Sequence, residues 1–384
     1  MLQTAQAVTL AEAVQAAIDR APEAAPILAD RATQQARRDA AARLFPGAPY
    51  LQADAATDSM TSRRGFNSFA AELGTPLWLP GEGSAAGRQA GAGIIEAEAR
   101  LAELRLAAAG LVRDAVSALD DAALALPPQQ RRSAAARQLA GLTELRAARG
   151  ESPESDALLA RSEALLADAA LLEQQSQRAQ AMARYSGITG LATAPSLAGD
   201  RTPPPAPVPD HPRLLSARRG VEAARANLDL TRASLRDSPV LALQGRQEQS
   251  LAREGYDNRL GVIFRLPLAT ESRNAPRIAA AQAELSRAEA RLSLLARELD
   301  IEARQARLAL DAALTQRRAG DAAFRVLDRR RAQIERAYNA GEIPLAELVR
   351  ARVSAFDADL FRARALAAQY RAAARLNQAL GAMP

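Results

Sequence analysis

Arg149-Gly150-Glu151-Ser152-Pro153 and, 191 residues further on, Ala340-Gly341-Glu342-Ile343-Pro344 are two versions of one turn. A helix reverses most cheaply through a left-handed residue without a Cβ, and glycine supplies it. Proline then opens the returning helix, where its missing N–H costs nothing. Each turn is flanked by long runs rich in alanine, leucine, arginine and glutamate. The pattern is a helical hairpin that occurs twice.

Working outward from the turns, the same offset recurs. Pro22 pairs with Pro212 and Pro49 with Pro239 at 190, and Pro76 pairs with Pro267 at 191. Glu98-Ala99-Arg100-Leu101 repeats as Glu289-Ala290-Arg291-Leu292, Leu119-Asp120 as Leu310-Asp311, and Gly190 as Gly381. Ordered landmarks at a nearly constant shift mark an internal duplication. The expected organisation is a first repeat over 1–186, a proline-rich linker over 187–212 and a second repeat over 213–384. Thr202–Pro207, with four prolines in six residues, reads as an extended strap.

Each repeat opens with a helix, predicted over Leu10–Leu44 and Pro212–Arg236 and ended by a proline turn. Two strands follow, within about 50–79 and about 240–268. Leu260, Val262, Phe264, Leu266 and Leu268 alternate with Gly261, Ile263, Arg265 and Pro267, and Phe69, Ala71, Leu73, Thr75 and Leu77 fall at equivalent places. Period-two alternation signals a strand with one apolar face. More polar partner strands precede them, Tyr50–Ser59 and Val240–Ser250, across hairpin turns.

Long helical hairpins complete each repeat, at about 85–186 and about 274–381. Their first arms, Ala85–Arg149 and Asn274–Ala340, would each run roughly 90 to 100 Å at the α-helical rise. Breaks are expected at Pro127-Pro128 and at most near Gly320. Leu101, Leu104, Ala108, Leu111, Ala115, Leu119, Ala122 and Leu126 form a heptad-like seam. The fold class is therefore mainly α with a small β part. Four strands cannot close a barrel without edges, and such helices cannot cover their seams within one chain, so oligomerisation follows.

Composition excludes several functions. The 384 residues contain 50 basic side chains, all arginine, against 44 acidic ones, with one histidine and no cysteine. Within these residues that removes disulfides, thiolate zinc sites, a thiol nucleophile and a lipidated cysteine, and it leaves lipidation of the native N-terminus open. His211 alone cannot build a multi-histidine metal site or a convincing catalytic triad. No metal, cofactor or catalytic residue is expected. No run approaches the roughly 18 apolar residues of a spanning helix, so membrane crossing would require a closed β-barrel. The arginines alternate with acids along helices and are not interleaved with aromatics, which argues against a nucleic-acid partner. Met1–Ala7 lack the features of a signal peptide. Either the protein is cytosolic or its sequence begins after a cleavage site, with an added methionine.

The ordered set of helix, strand pair and long helical hairpin, given twice, resembles the TolC-type outer-membrane efflux channel family. Gly261-Val262-Ile263-Phe264-Arg265-Leu266-Pro267-Leu268, with Arg277-Ile278-Ala279-Ala280-Ala281 and Arg287-Ala288-Glu289, resembles its heavy-metal-efflux (CzcC/CusC-like) branch. The resemblance spans Leu10–Gly381. It implies a homotrimer in outer-membrane lipid, whose twelve strands form one barrel continued by a periplasmic α-helical barrel. It also implies a passive duct docked by a periplasmic adaptor (membrane fusion protein) and served by an inner-membrane pump of the RND type. The location implied is the bacterial outer membrane projecting into the periplasm, the signal peptide being absent from the sequence.

Carried onto this chain, the family's adaptor-docking tips are Gly150, Glu151, Ser152, Pro153 and Gly341, Glu342, Ile343, Pro344. The plain alternative is that these are ordinary turns between helices. Six residues beyond each tip glycine the family places a pore-facing acid, here Asp156 and Glu347. Where well-known members carry a further acid, this chain has Arg350, a departure that predicts a partly neutralised constriction with Arg350 pairing to Glu347 or Asp156. Otherwise these residues are a solvated helix face. Trp78 reads as a membrane-interface anchor or as an ordinary buried tryptophan. Asp120 and Asp121 read as surface or pore-lining. From a different class, a soluble coiled-coil scaffold or a periplasmic adaptor would share the helical hairpins. Adaptors are expected to carry one hairpin between β-rich domains, whereas here hairpins come twice, each after its own strand pair.

Overall fold

Proline decides where the first helix of the chain breaks. The run predicted over Leu10–Leu44 is two helices in the computed structural model, α1 (Leu10–Asp19) and α2 (Ala24–Ala41). Pro22 steers the residue before it out of the helical region, and the chain restarts two residues later. A capping box closes the front of α1, with Thr9 Oγ1 accepting from Glu12 N–H and Glu12 accepting from Thr9 N–H. The structure describes residues 8–200, 211–251 and 253–384. The Thr202–Pro207 strap and the Met1–Ala7 segment lie outside the described residues.

The chain forms two compact units, each drawing on both repeats. The first is built from 25–101 and 214–295 and holds the sheet. Its strands are β1 (Tyr50–Thr57), β2 (Asn67–Pro76), β3 (Val240–Gln249) and β4 (Asp257–Arg265), antiparallel and in that order. Each repeat supplies one hairpin, and β2 pairs with β3 to join them, with Leu73 opposite Leu243 and Pro76 opposite Val240. The apolar strand predicted to reach Leu268 stops at Arg265. Pro267 has no N–H to give a ladder, so the strand ends before it.

The second unit is helical. The helix α3 (Glu82–Ala148) enters it and passes through Pro127 and Pro128 without the predicted break. Two prolines in a helix interior are costly, at about 3 kcal/mol each. The flanks are held by packing, with Ala125 and Gln129 buried and Gln174 Nε2 donating to the Ala122 carbonyl at 3.2 Å. The returning helix is α4 (Glu154–Thr189), and α5 (Pro212–Ala233) leads to the second pair of strands. The second long helix, α6 (Glu271–Asn339), runs uninterrupted past Gly320, where the Phe361 ring of α7 (Leu345–Ala379) lies so close that a Cβ would meet it at 3.1 Å. Gly320 makes room for a side chain; it does not break the helix.

Alanine dominates the packing here. Ala136, Ala140, Ala160, Ala164 and Ala167 join Leu345 and Leu348 in one cluster, while Val14, Val112, Val116, Tyr185 and Leu197 anchor another. Small residues let helices approach closely, and arginine forks bridge what remains. Arg132 binds Glu163 on α4 at 2.9 Å and Asp357 on α7 at 3.3 Å. One planar guanidinium can serve two carboxylates, which a point-charge ammonium does less well. Part of the arginine excess has its use there.

The linker between repeats is docked by residues that read as surface in the sequence. Asp120 is buried, and its carboxylate accepts from Leu197 N–H at 2.8 Å and Ser196 Oγ at 3.1 Å. Burial holds that carboxyl above its usual range. Asp121 pairs with Arg371 at 2.9 Å. Asp200 is clamped by Arg113 Nε at 3.0 Å and Asn377 Nδ2 at 2.9 Å.

His211, read from the sequence as solvated, is 3% exposed. Gly381 leaves it space, since a Cβ there would come within 2.8 Å of the imidazole. Its Nδ1 accepts from Arg213 N–H at 3.2 Å, a contact that favours the neutral ring. Burial, and then the Arg213 charge, push its pKa below the ordinary 6.5, against weaker opposing effects of a hydrogen bond to the Gln378 backbone and of Glu302 and Glu103. The unfolded chain takes up this proton first, so the contribution is present above 6.5 and is lost as pH falls towards the depressed folded value. We expect denaturant midpoints to drop between about pH 7.5 and 5.5, and His211→Asn to flatten that drop. Glu96 and Asp120, both raised by burial, act in the opposite direction and stay in both proteins. Equal slopes for wild type and variant would refute this role for His211.

Candidate functional site

Strand register sorts the sheet residues onto two faces. Leu51, Leu73, Leu243 and Val262 lie side by side across all four strands. The same face carries Phe69, Leu241, Leu260 and Phe264. These side chains are exposed, Leu260 at 77% and Val262 at 72%. On the opposite face stand Gln52, Asp54, Glu72, Gln244, Arg246, Arg259 and Arg265. Ala70, Ala242 and Glu72 on that face are buried. Tyr50 Oη donates to Glu72 Oε1 at 2.6 Å, its ring filling the space over Gly74. A sheet in water hides its apolar face and wets its polar one. This one exposes its apolar face together with most of its polar one, Gln52, Asp54, Arg246, Arg259 and Arg265 included, and β1 and β4 each pair on one side only.

At the turns between long helices the backbone follows one plan twice. Gly150 and Gly341 have φ of 74° and 79°. Gly150 N–H donates to Ala147 O and Glu151 N–H to Arg146 O, both at 2.9 Å. Gly341 and Glu342 repeat this with Tyr338 O at 2.9 Å and Ala337 O at 3.0 Å. Both are Schellman closures, the motif that needs a left-handed residue just past a helix. Pro153 and Pro344 are extended N-caps, one residue before the first helical positions Glu154 and Leu345; the sequence predicted starts at Ser155 and Leu345. Gly150, Glu151, Pro153, Gly341, Glu342 and Pro344 are exposed, while Ser152 and Ile343 are half-buried. Arg146 Nη1 donates to Tyr338 Oη at 3.4 Å, bringing the two hairpins together near their ends.

Beyond the turns, Glu347 and Asp156 sit in the first turns of their helices, both half-buried. Arg350 Nη1 donates to Glu347 Oε1 at 2.6 Å, the Glu347 alternative of the two pairings open to it. Asp156 has no ion-pair partner among the described residues. The residues that sequence reading missed are the buried ones: Arg113, Asp200 and Asn377 are far apart along the chain and no local pattern links them.

No known family pattern and no curated protein sequence matches the chain. Solved structures do. The chain is similar to CusC, described by its conformational changes on folding and transmembrane channel formation, with a TM-score of 0.79 at 15% identity over 97% of this chain and 92% of that one. The fold is TolC-like. VceC, an outer membrane protein of Vibrio cholerae, superposes with a TM-score of 0.76 at 17% identity, covering 97% and 96% of the two chains. The CmeC outer membrane channel of Campylobacter jejuni gives 0.76 at 14% identity, covering 97% and 85%. This TolC-like chain therefore shares its fold with proteins to which it is only distantly similar in sequence.

Proposed function

We propose that three copies of this chain join their sheets edge to edge into a twelve-stranded barrel in the bacterial outer membrane. The helices continue the barrel into the periplasm as a passive exit duct of a tripartite efflux system. One observation carries the reading: a four-stranded sheet with an exposed apolar face, a polar opposite face and two free edges. Closure removes the edges, and lipid covers the apolar face. In this reading the chain is a conduit and not an enzyme. A soluble scaffold or periplasmic adaptor has no use for an outward apolar sheet, so that alternative is not favoured.

The turns Gly150–Pro153 and Gly341–Pro344 are the surface offered to the periplasmic adaptor, which links the duct to an inner-membrane pump of the RND type. Asp156 and Glu347 line the constriction. Because Arg350 neutralises Glu347, the Asp156 carboxylates supply most of the uncompensated charge. Planar-bilayer recordings should show Asp156→Asn lowering cation selectivity more than Glu347→Gln. Unchanged selectivity in both variants would remove these residues from the constriction. The finer assignment, heavy-metal cations as cargo, rests on the resemblance of Gly261–Leu268 and the helix after it to the metal branch. Metal sensitivity of a deletion strain, compared with its drug sensitivity, tests that cargo.

The proposal as a whole is tested by fractionation. The protein should sediment with outer membranes and leave them in detergent with the mass of three chains. A monodisperse monomer that needs no detergent would overturn it.

A further inference from the structure

Phe45, Pro49, Leu73, Leu241, Leu243 and Val262 line an apolar groove of about 520 Å³ on the outward face of the sheet. The groove lies at the end where β1 begins and β2 ends, next to the helices. Its outer wall is the loop from α2 to β1, and the fold pins that loop at two points. Trp78 Nε1 donates to the Arg43 carbonyl at 2.9 Å. Gly47 packs against Pro76, where a Cβ would stand 3.1 Å from the ring. Pro46 and Pro49 stiffen the stretch between these points.

The groove continues the apolar surface of the sheet and is not a separate hollow. Leu44, beside Phe45, is 79% exposed. The stretch before it is net basic, with Arg37, Arg38 and the single acid Asp39 in the last turns of α2 and then Arg43, all exposed. An apolar slot followed by arginines matches an acyl chain that ends in an anionic headgroup. The matching turn of the second repeat is built differently. Arg236 and Asp237 stand where Pro46 and Gly47 are, and Arg273 Nη1 binds Asp237 at 2.9 Å. The slot is thus a property of the first repeat.

We propose that this groove holds one acyl chain of an anionic phospholipid from the periplasmic leaflet, with Arg43 beside its phosphate. Each chain carries one such site. The proposal rests on the membrane-channel reading above. It differs from general lipid contact because a built wall selects a single lipid and because the site prefers one headgroup charge.

Native mass spectrometry of detergent-extracted protein, titrated with phosphatidylglycerol or phosphatidylethanolamine, is the test. Wild type should retain one phosphatidylglycerol per chain in preference to phosphatidylethanolamine. Leu243→Trp, which fills the groove, should lose that lipid. Phe45→Asp, which alters only the loop, should lose it too and guards against misfolding of the sheet. Arg43→Gln should keep the lipid and lower the headgroup preference about fivefold, the effect of one arginine near an anionic surface. Unchanged retention in Phe45→Asp and unchanged preference in Arg43→Gln would overturn the site while leaving the channel reading intact. Wild type that fails to fractionate with outer membranes would overturn both.

Discussion

Replacing Arg113 by methionine is expected to remove about 3–5 kcal/mol of stability. Arg113 and Asp200 are among the most deeply enclosed charged side chains in the helical unit, at 3% and 5% exposure. Arg113 Nη1 also donates to Gln378 Oε1 and to the Ala382 carbonyl, both at 2.9 Å. One guanidinium thus ties α3 to the docked linker and to the end of the chain. Removing it leaves the Asp200 carboxylate buried with Asn377 as its remaining side-chain donor among the described residues, and an under-compensated buried charge is the severe case. Adding Asp200→Asn to Arg113→Met should recover a large part of the loss, because both charges then leave together. Denaturant titrations of the single and double variants check this. A loss below about 1 kcal/mol for Arg113→Met would mean that the pair is not closed off from water.

Leu260→Arg is the second large effect, and it acts on assembly. Leu260 lies mid-strand on the outward face, in a row with Gly245, Ala71 and Ala53. Arginine at the midplane of a lipid-facing strand costs about 2–4 kcal/mol per chain. A trimer would carry that penalty three times, enough to deplete the inserted form. Arg259, the preceding residue, is already an arginine, on the opposite face and bound to Asp257 at 2.9 Å. Gln244→Arg, on that polar face, should therefore insert normally. Heat-modifiable trimer on gels of outer-membrane fractions reports the outcome. Equal trimer levels in both variants would mean that the Leu260 face does not meet lipid.

Local chemistry was legible in the sequence, and long-range pairing was not. Gly150 and Gly341 announced the turns because few residues accept their backbone conformation. The alternation through Leu260, Val262 and Phe264 gave the strand and its face, misplaced by a few residues because Pro267 limits the ladder. Pro127-Pro128 misled, since the local rule for proline ignores a partner helix that holds both flanks. The pairing of β2 with β3 joins segments from different repeats, and nothing local in either strand specifies it. His211 read as solvated because its linker is proline-rich; the space that buries it belongs to Gly381 at the far end of the second repeat. At the tips, sequence placed Asp156, Glu347 and Arg350 in their turns, and the structure adds which acid Arg350 takes.

The central claim is that β1 of one copy meets β4 of the next and that the ring closes at three. Because the chain contains no cysteine, any disulfide in it must be an engineered one. Neighbouring antiparallel strands hold facing Cα atoms about 4.5–5.5 Å apart, within reach of a disulfide. Pairs of cysteines, one placed within 52–55 of β1 and the other within 259–262 of β4, can be oxidised in isolated membranes and run on non-reducing gels. At the matching register a ladder of one, two and three linked chains that stops at three is expected. A membrane-inserted protein in which no pair cross-links, or a ladder that climbs past three, would contradict it.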